Sequence, residues 1–135
     1  MSSIDYIAEL VESLTEKYQT RDPFKICEAM DIKIKFKNLG TLKAYYFYQS
    51  RIRNIVINSR VSNIVQKILA AHELGHDRLH QRIAMLKGFQ EFELFDKATP
   101  TEYEANIFAA ELLIGDKELR EMFNDENKSF FDIAK

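Results

Sequence analysis

Apolar residues recur every three or four positions from Ile4 to Tyr18, which is the period of an amphipathic helix. The Asp22-Pro23 pair then predicts a second, short helix through about Ala29, because proline is tolerated in the first helical turn. The pattern therefore predicts two N-terminal helices within residues 1–30.

From Ile32 the hydrophobic period changes to two, which is typical of half-buried strands. The alternation runs to Lys37, and two more β-rich stretches follow at residues 42–48 and 52–57. We expect these three strands to form a small antiparallel meander within residues 31–58. Three lysines lie on one face of the first strand (Lys33, Lys35 and Lys37), and they indicate a solvated edge that discourages pairing with other strands.

The pattern becomes helical again after residue 60. Ser62 or Asn63 can cap a long helix that runs to about His80, and residues 81–98 predict a loop with one short helix. The next helix is marked by a capping box, formed by Thr99, Pro100 and Glu102. Its interior should run from Tyr103 to Ile114, Gly115 should end it, and Asp116 can cap a last short helix through about Phe123.

Because the chain contains neither an internal repeat nor a linker, we expect residues 1–135 to form a single α+β domain. In this domain the N-terminal helices (1–30) and the sheet (31–58) surround a helical core at residues 62–123.

The composition narrows the classes of function. The formal net charge of −2 gives no reason to expect direct nucleic-acid binding or association with an anionic membrane. Cys27 is the sole cysteine, so the chain has no disulfide framework and no cysteine-rich metal cluster. Without a signal-peptide pattern or a run of about 20 apolar residues, a cytoplasmic location is the simplest expectation.

The chemistry is concentrated in His72-Glu73-Leu74-Gly75-His76, which matches the H-E-x-x-H pattern inside a predicted helix. Residues four apart lie on one helical face, so both imidazoles can bind one metal ion at about 2.0–2.1 Å. Glu73 is displaced around the helix and can serve as the general base for metal-bound water.

A catalytic zinc needs a third protein ligand, and the helix after Pro100 offers Glu102, Glu104 and Glu111. Glu102 has a competing role in the capping box. We therefore favour Glu104 as the ligand, and we keep Glu111 as a residue that supports a ligand or has an acidic structural role.

Two segments together resemble the ImmA/IrrE metallopeptidase family. One is HELGHDRLH at residues 72–80, and the other is EANIFAAELL at residues 104–113. The resemblance covers roughly residues 25–122. It implies a zincin-like α+β metallopeptidase domain that binds one zinc ion per chain. The chain departs from the family pattern at Ile114-Gly115, where family members commonly have Met-Pro.

Carried over by residue, the resemblance makes His72, His76 and Glu104 the zinc ligands and Glu73 the catalytic base. His80 matches the trailing histidine of the family pattern. The sequence leaves open whether it orients a ligand, meets the substrate, or stabilises the helix end.

The resemblance also implies a protein substrate. Members of this family from mobile elements act as anti-repressors that cleave a helix-turn-helix transcriptional repressor at a specific site. Two alternatives stay open at this point. The chain could sequester a repressor without cleaving it, with zinc in a structural role or absent, or it could act on DNA-bound proteins through DNA contacts of its own.

Overall fold

The computed structural model describes residues 3–87 and 99–114. The elements in chain order are α1 (Ser3–Tyr18), α2 (Pro23–Ala29), β1 (Lys33–Lys37), β2 (Ala44–Gln49), β3 (Ile52–Asn58), α3 (Asn63–Lys87) and α4 (Pro100–Leu113). The predicted α+β class is confirmed. The helix predicted after Asp116 lies outside the described residues, as does most of the loop predicted at 81–98. None of the described helices is both long enough and apolar enough to cross a membrane.

The sheet differs from the predicted antiparallel meander. Its strand order is β1-β3-β2, with β1 parallel to β3 and β2 antiparallel to β3. The physical reason lies in burial. Residues 54–58 of β3 are buried without interruption, as expected for a central strand, whereas β1 carries exposed lysines that suit an edge. The segment after β1 therefore crosses to the far side of β3 instead of turning back beside β1.

Helix α3 begins where the sequence predicts and extends beyond its predicted end. The hydroxyl of Ser62 accepts a hydrogen bond from the Val65 amide, which caps the helix. The helix continues to Lys87, but His80 interrupts it with a φ of −129° and a ψ of 16°. The predicted end therefore coincides with a kink, which turns the last part of α3 away from the axis of the first part.

Helix α4 packs against α3 and has the predicted N-terminus. Thr99 is the N-cap, and its hydroxyl accepts a hydrogen bond from the Glu102 amide at 3.3 Å. The two helices approach closely because Gly75 on α3 leaves room for the ring of Phe108 on α4. At the other end of α4, Arg21 donates to the carbonyls of Glu111 and Leu112, which lack partners within the helix.

A buried carboxylate fixes α3 on the sheet. Asp77 is inaccessible to solvent and accepts hydrogen bonds from the Tyr46 hydroxyl at 2.6 Å and from Arg53 at 3.1 Å. Arg53 also donates to the carbonyl of Met30, just after α2. Asp77 follows His76 directly, so this network holds the orientation of the helix that carries the H-E-x-x-H motif.

Candidate metal centre

Three buried side chains converge between α3 and α4. The Nε2 atom of His72 lies 2.8 Å from Glu102 Oε2, and the Nε2 atom of His76 lies 3.2 Å from Glu102 Oε1. One ligand atom from each of these residues lies within 4.8 Å of the other two. Because both histidines come from α3 and the carboxylate from α4, the close packing of these two helices builds the cluster.

The structure differs from the sequence analysis at the third position of this cluster. The carboxylate that faces His72 and His76 belongs to Glu102, whereas Glu104 contacts His80. Two residues along a helix are about 200° apart around its axis, so these two carboxylates point in different directions. Helix capping does not prevent Glu102 from reaching the histidines, because the bond to Thr99 uses the backbone amide of Glu102 and leaves its carboxylate free to face them.

The orientation of His72 is fixed by a residue that the sequence analysis did not single out. Its Nδ1 atom lies 2.8 Å from the Oδ1 atom of buried Asn106. A carbonyl oxygen can only accept, so His72 donates from Nδ1, and Nε2 is the nitrogen that faces Glu102. The spacing offered a clue, because Asn106 is four residues after Glu102 and shares its helical face.

His76 has a second imidazole behind it. The Nδ1 atom of His76 lies 2.9 Å from Nδ1 of His80, and Nε2 of His80 lies 2.9 Å from Glu104 Oε1. His80 is 5% exposed, and the side chain of Glu104 is 36% exposed. The side chains of His76, His80 and Glu104 therefore form a row that runs from the cluster toward solvent. The kink in α3 lies at the middle member of this row.

Glu73 follows His72 on α3 but takes part in none of the hydrogen bonds described above. It is fully buried, and neither carboxylate oxygen has a hydrogen-bond partner within residues 3–87 and 99–114. Burial, and after it the negative charge of Glu102, raises the pKa of Glu73 well above its usual value. A buried carboxyl group without partners is costly to the fold, which is characteristic of a functional group.

The electrostatics suit a cation. Burial alone would raise the pKa of Glu102, but the adjacent imidazoles of His72 and His76 outweigh it and hold that pKa at about 2. Burial lowers the pKa of His76 to about 3, against the opposing effect of its hydrogen bond to Glu102. The cluster thus contains an ionised carboxylate and a neutral imidazole, which are the protonation states that bind metals.

These residues fit a divalent metal ion. His72 Nε2 and Glu102 Oε2 are 2.8 Å apart, yet neither atom has a hydrogen-bond partner of acceptable geometry among the residues that the structure describes. Ligand atoms around a tetrahedral zinc ion are ~3.3 Å apart, which is close to the spacing of this cluster. Buried polar atoms that crowd together without bonding to one another indicate that they share a third atom as their partner.

Three further side chains that could carry chemistry have structural positions instead. The hydroxyl of Tyr46 donates a hydrogen bond to Asp77, and burial raises the pKa of Tyr46. Cys27 is fully buried, and burial raises the pKa of its thiol to about 12. The backbone carbonyl of Glu111 accepts a hydrogen bond from Arg21, and the side chain of Glu111 is not part of the cluster.

Comparisons with known proteins identify the family of the chain. Residues 27–135 match the family model described as Peptidase_M78, the IrrE N-terminal-like domain. The chain is 35% identical over 121 residues to "Uncharacterized immunity region protein 2" of Bacillus phage phi105, covering 89% of this chain and 75% of that protein. It is 29% identical over 116 residues to "Metallopeptidase ImmA" of Bacillus subtilis (strain 168), covering 85% of this chain and 67% of that protein.

The matches and the site together define a metallopeptidase, a class that acts on protein substrates. More particularly, the chain belongs to the IrrE N-terminal-like peptidase family and is of the ImmA/IrrE type. The resemblance seen in the sequence is thereby confirmed.

Proposed function

We propose that this protein is a zinc-dependent endopeptidase that cleaves a helix-turn-helix transcriptional repressor at a specific site. The observation that carries the proposal is the convergence of His72, His76 and Glu102 beside Glu73, whose carboxyl group has no hydrogen-bond partner in the described part of the chain. Two imidazoles and one carboxylate form the ligand set of a catalytic zinc site, which keeps a position open for water or substrate.

His72, His76 and Glu102 would hold the metal, and Asn106 would keep His72 in the tautomer that binds it. A bound zinc ion would polarise the scissile carbonyl and lower the pKa of water in the open position. Glu73 would accept a proton from that water and later donate it to the leaving amine. The absence of hydrogen bonds to Glu73 within the described part of the chain supports this role, since its carboxylate is not committed to the fold.

The proposal for the substrate rests on the family. The name of the phage relative assigns that protein to an immunity region, and the ImmA/IrrE resemblance implies cleavage of a repressor. A single narrow substrate is therefore a better hypothesis than general digestion of proteins.

The test is a cleavage experiment with a matched variant. The zinc-loaded protein and its Glu73→Gln variant are incubated with a panel of purified phage repressors of the helix-turn-helix class. New N-termini are then identified by mass spectrometry. The proposal expects one repressor to be cut at one site by the wild type, with cleavage reduced at least about 10³-fold in the variant.

The same variant distinguishes cleavage of the repressor from the main alternative, which is sequestration of the repressor without cleavage. If Glu73→Gln relieves repression in cells as well as the wild type does, the protein acts by sequestering the repressor. If the variant binds the repressor normally but neither cleaves it nor relieves repression, the peptidase hypothesis stands.

A further inference from the structure

We infer that His80 and Glu104 are positioning residues, which hold His76 in the tautomer and orientation that metal binding requires. The inference rests on the proposed metal centre and gives a function to the carboxylate that the sequence analysis assigned to the metal itself. It follows from two contacts, among three side chains, that form one continuous row of hydrogen bonds.

The direction of each bond is determined from its two ends. At the inner end, His76 can bind a metal through Nε2 only if that atom has no proton, so the proton of its neutral ring is on Nδ1. At the outer end, the carboxylate of Glu104 accepts, so His80 donates to it from Nε2. Nδ1 of His80 is then the acceptor of the bond that His76 donates, at 2.9 Å.

Metal binding at Nε2 of His76 thus sets the tautomer of both rings. Reversing the inner bond would place a proton on Nδ1 of His80 and remove it from Nδ1 of His76. A neutral His76 would then carry its proton on Nε2, the atom that faces Glu102 at 3.2 Å, and could not bind a metal there. A histidine ligand held by a second imidazole and a carboxylate is also a better electron donor than one that faces solvent.

The two histidine ligands are therefore supported in different ways. His72 donates to a neutral amide oxygen on Asn106, whereas His76 donates into a row that ends at a carboxylate. The kink at His80 contributes to this geometry. Its non-helical φ of −129° places the ring beside His76 one turn earlier, while its other nitrogen reaches α4.

The test uses zinc alone as the probe and compares graded variants at position 80. His80→Leu removes the acceptor, whereas His80→Asn places an amide oxygen near the position of Nδ1 but cannot reach Glu104. Glu104→Ala removes only the terminal carboxylate, and Glu111→Ala is its matched control on the same helix. Zinc affinity is measured by competition with a chromophoric chelator, and the stability of each metal-free variant is measured separately.

The inference predicts that His80→Leu weakens zinc binding by about 10- to 100-fold, the range found when partners of ligating histidines are removed. His80→Asn should recover most of that loss, Glu104→Ala should lose less than about tenfold, and Glu111→Ala should bind as the wild type does. A residue needed only for folding would instead lower stability without this recovery by asparagine.

A spectroscopic measurement tests the tautomers directly. Long-range ¹H–¹⁵N spectra of the zinc-bound protein should show His76 with its proton on Nδ1 and His80 with its proton on Nε2. A deprotonated Nδ1 on His76, or wild-type zinc affinity in His80→Leu, would overturn the inference while leaving the metal centre intact. Failure of the wild type to bind zinc at all would overturn the proposed function and this inference together.

Discussion

Gly75 packs directly against the ring of Phe108, and a Cβ atom at position 75 would lie 3.1 Å from both Cβ and Cδ1 of Phe108. This approach brings α4 close enough to α3 for Glu102 to reach His72 and His76. A glycine inside a helix costs about 0.5–1 kcal/mol relative to alanine, so the close contact has to compensate for a local weakness. The glycine of the H-E-x-x-H segment is thus explained by packing.

Larger side chains at position 75 should separate the two helices. Gly75→Val is expected to lower the free energy of unfolding by about 1–3 kcal/mol, because the new methyl groups overlap the Phe108 ring. It should weaken zinc binding as well. Urea denaturation and zinc titration measure the two effects. A Gly75→Val, Phe108→Leu double variant that recovers part of both losses would support this cause, and purely additive losses would contradict it.

The buried carboxyl group of Glu73 predicts a specific pH dependence in the metal-free protein. Its pKa is raised in the folded state, so its contribution to stability is fully present below its unfolded pKa of about 4.3. That contribution is lost as the pH rises toward the folded pKa. The metal-free wild type should therefore lose stability relative to Glu73→Gln as the pH increases above about 4.3. Denaturation of both proteins across this range measures the difference, and a constant difference would contradict the prediction.

Tyr46 should contribute to stability and not to chemistry. Its hydroxyl donates to buried Asp77 at 2.6 Å, so Tyr46→Phe removes one partner of a buried carboxylate. We expect a loss of about 1–3 kcal/mol in unfolding free energy, with turnover per folded molecule close to that of the wild type. Tyr48→Phe on the same strand is the control and should change stability by less. A large fall in turnover without loss of stability would instead make Tyr46 part of the catalytic machinery.

Cys27 should be chemically inert in the folded protein. Its pKa is raised to about 12, chiefly by burial and then by the charge of Asp77, so the reactive thiolate is rare at neutral pH. Iodoacetamide at pH 8 should label the native protein far more slowly than the urea-unfolded protein, as mass spectrometry would show. Equal labelling rates in the two states would mean that the thiol is accessible in the native fold.

The sequence predicted most of the elements because their signals are local. The cap at Ser62, the N-cap at Thr99 and the Asp22-Pro23 helix start all depend on neighbouring residues, and all are present. The parallel pairing of β1 with β3 could not be predicted in the same way. Pairing depends on which strand is buried on both faces, and this is decided by the helices packed against the sheet.

The site shows the same division between local and tertiary information. The positions of His72, Glu73 and His76 on one helix follow from their spacing alone. The choice between Glu102 and Glu104 depends on which face of α4 is turned toward α3, and neither the capping pattern nor the family resemblance identified that face. Asn106 was the missed clue, because its spacing from Glu102 marks the buried face that both residues share.

The most direct test of the account is zinc titration of the wild type beside the Glu102→Ala and Glu104→Ala variants, by calorimetry on metal-free protein. The wild type should bind about one equivalent tightly, as expected for a site with three protein ligands. Glu102→Ala should lose tight binding, while Glu104→Ala should still bind one equivalent with an affinity reduced by less than about tenfold. If Glu104→Ala loses the metal and Glu102→Ala keeps it, the ligand set argued from the packing of α3 and α4 is contradicted.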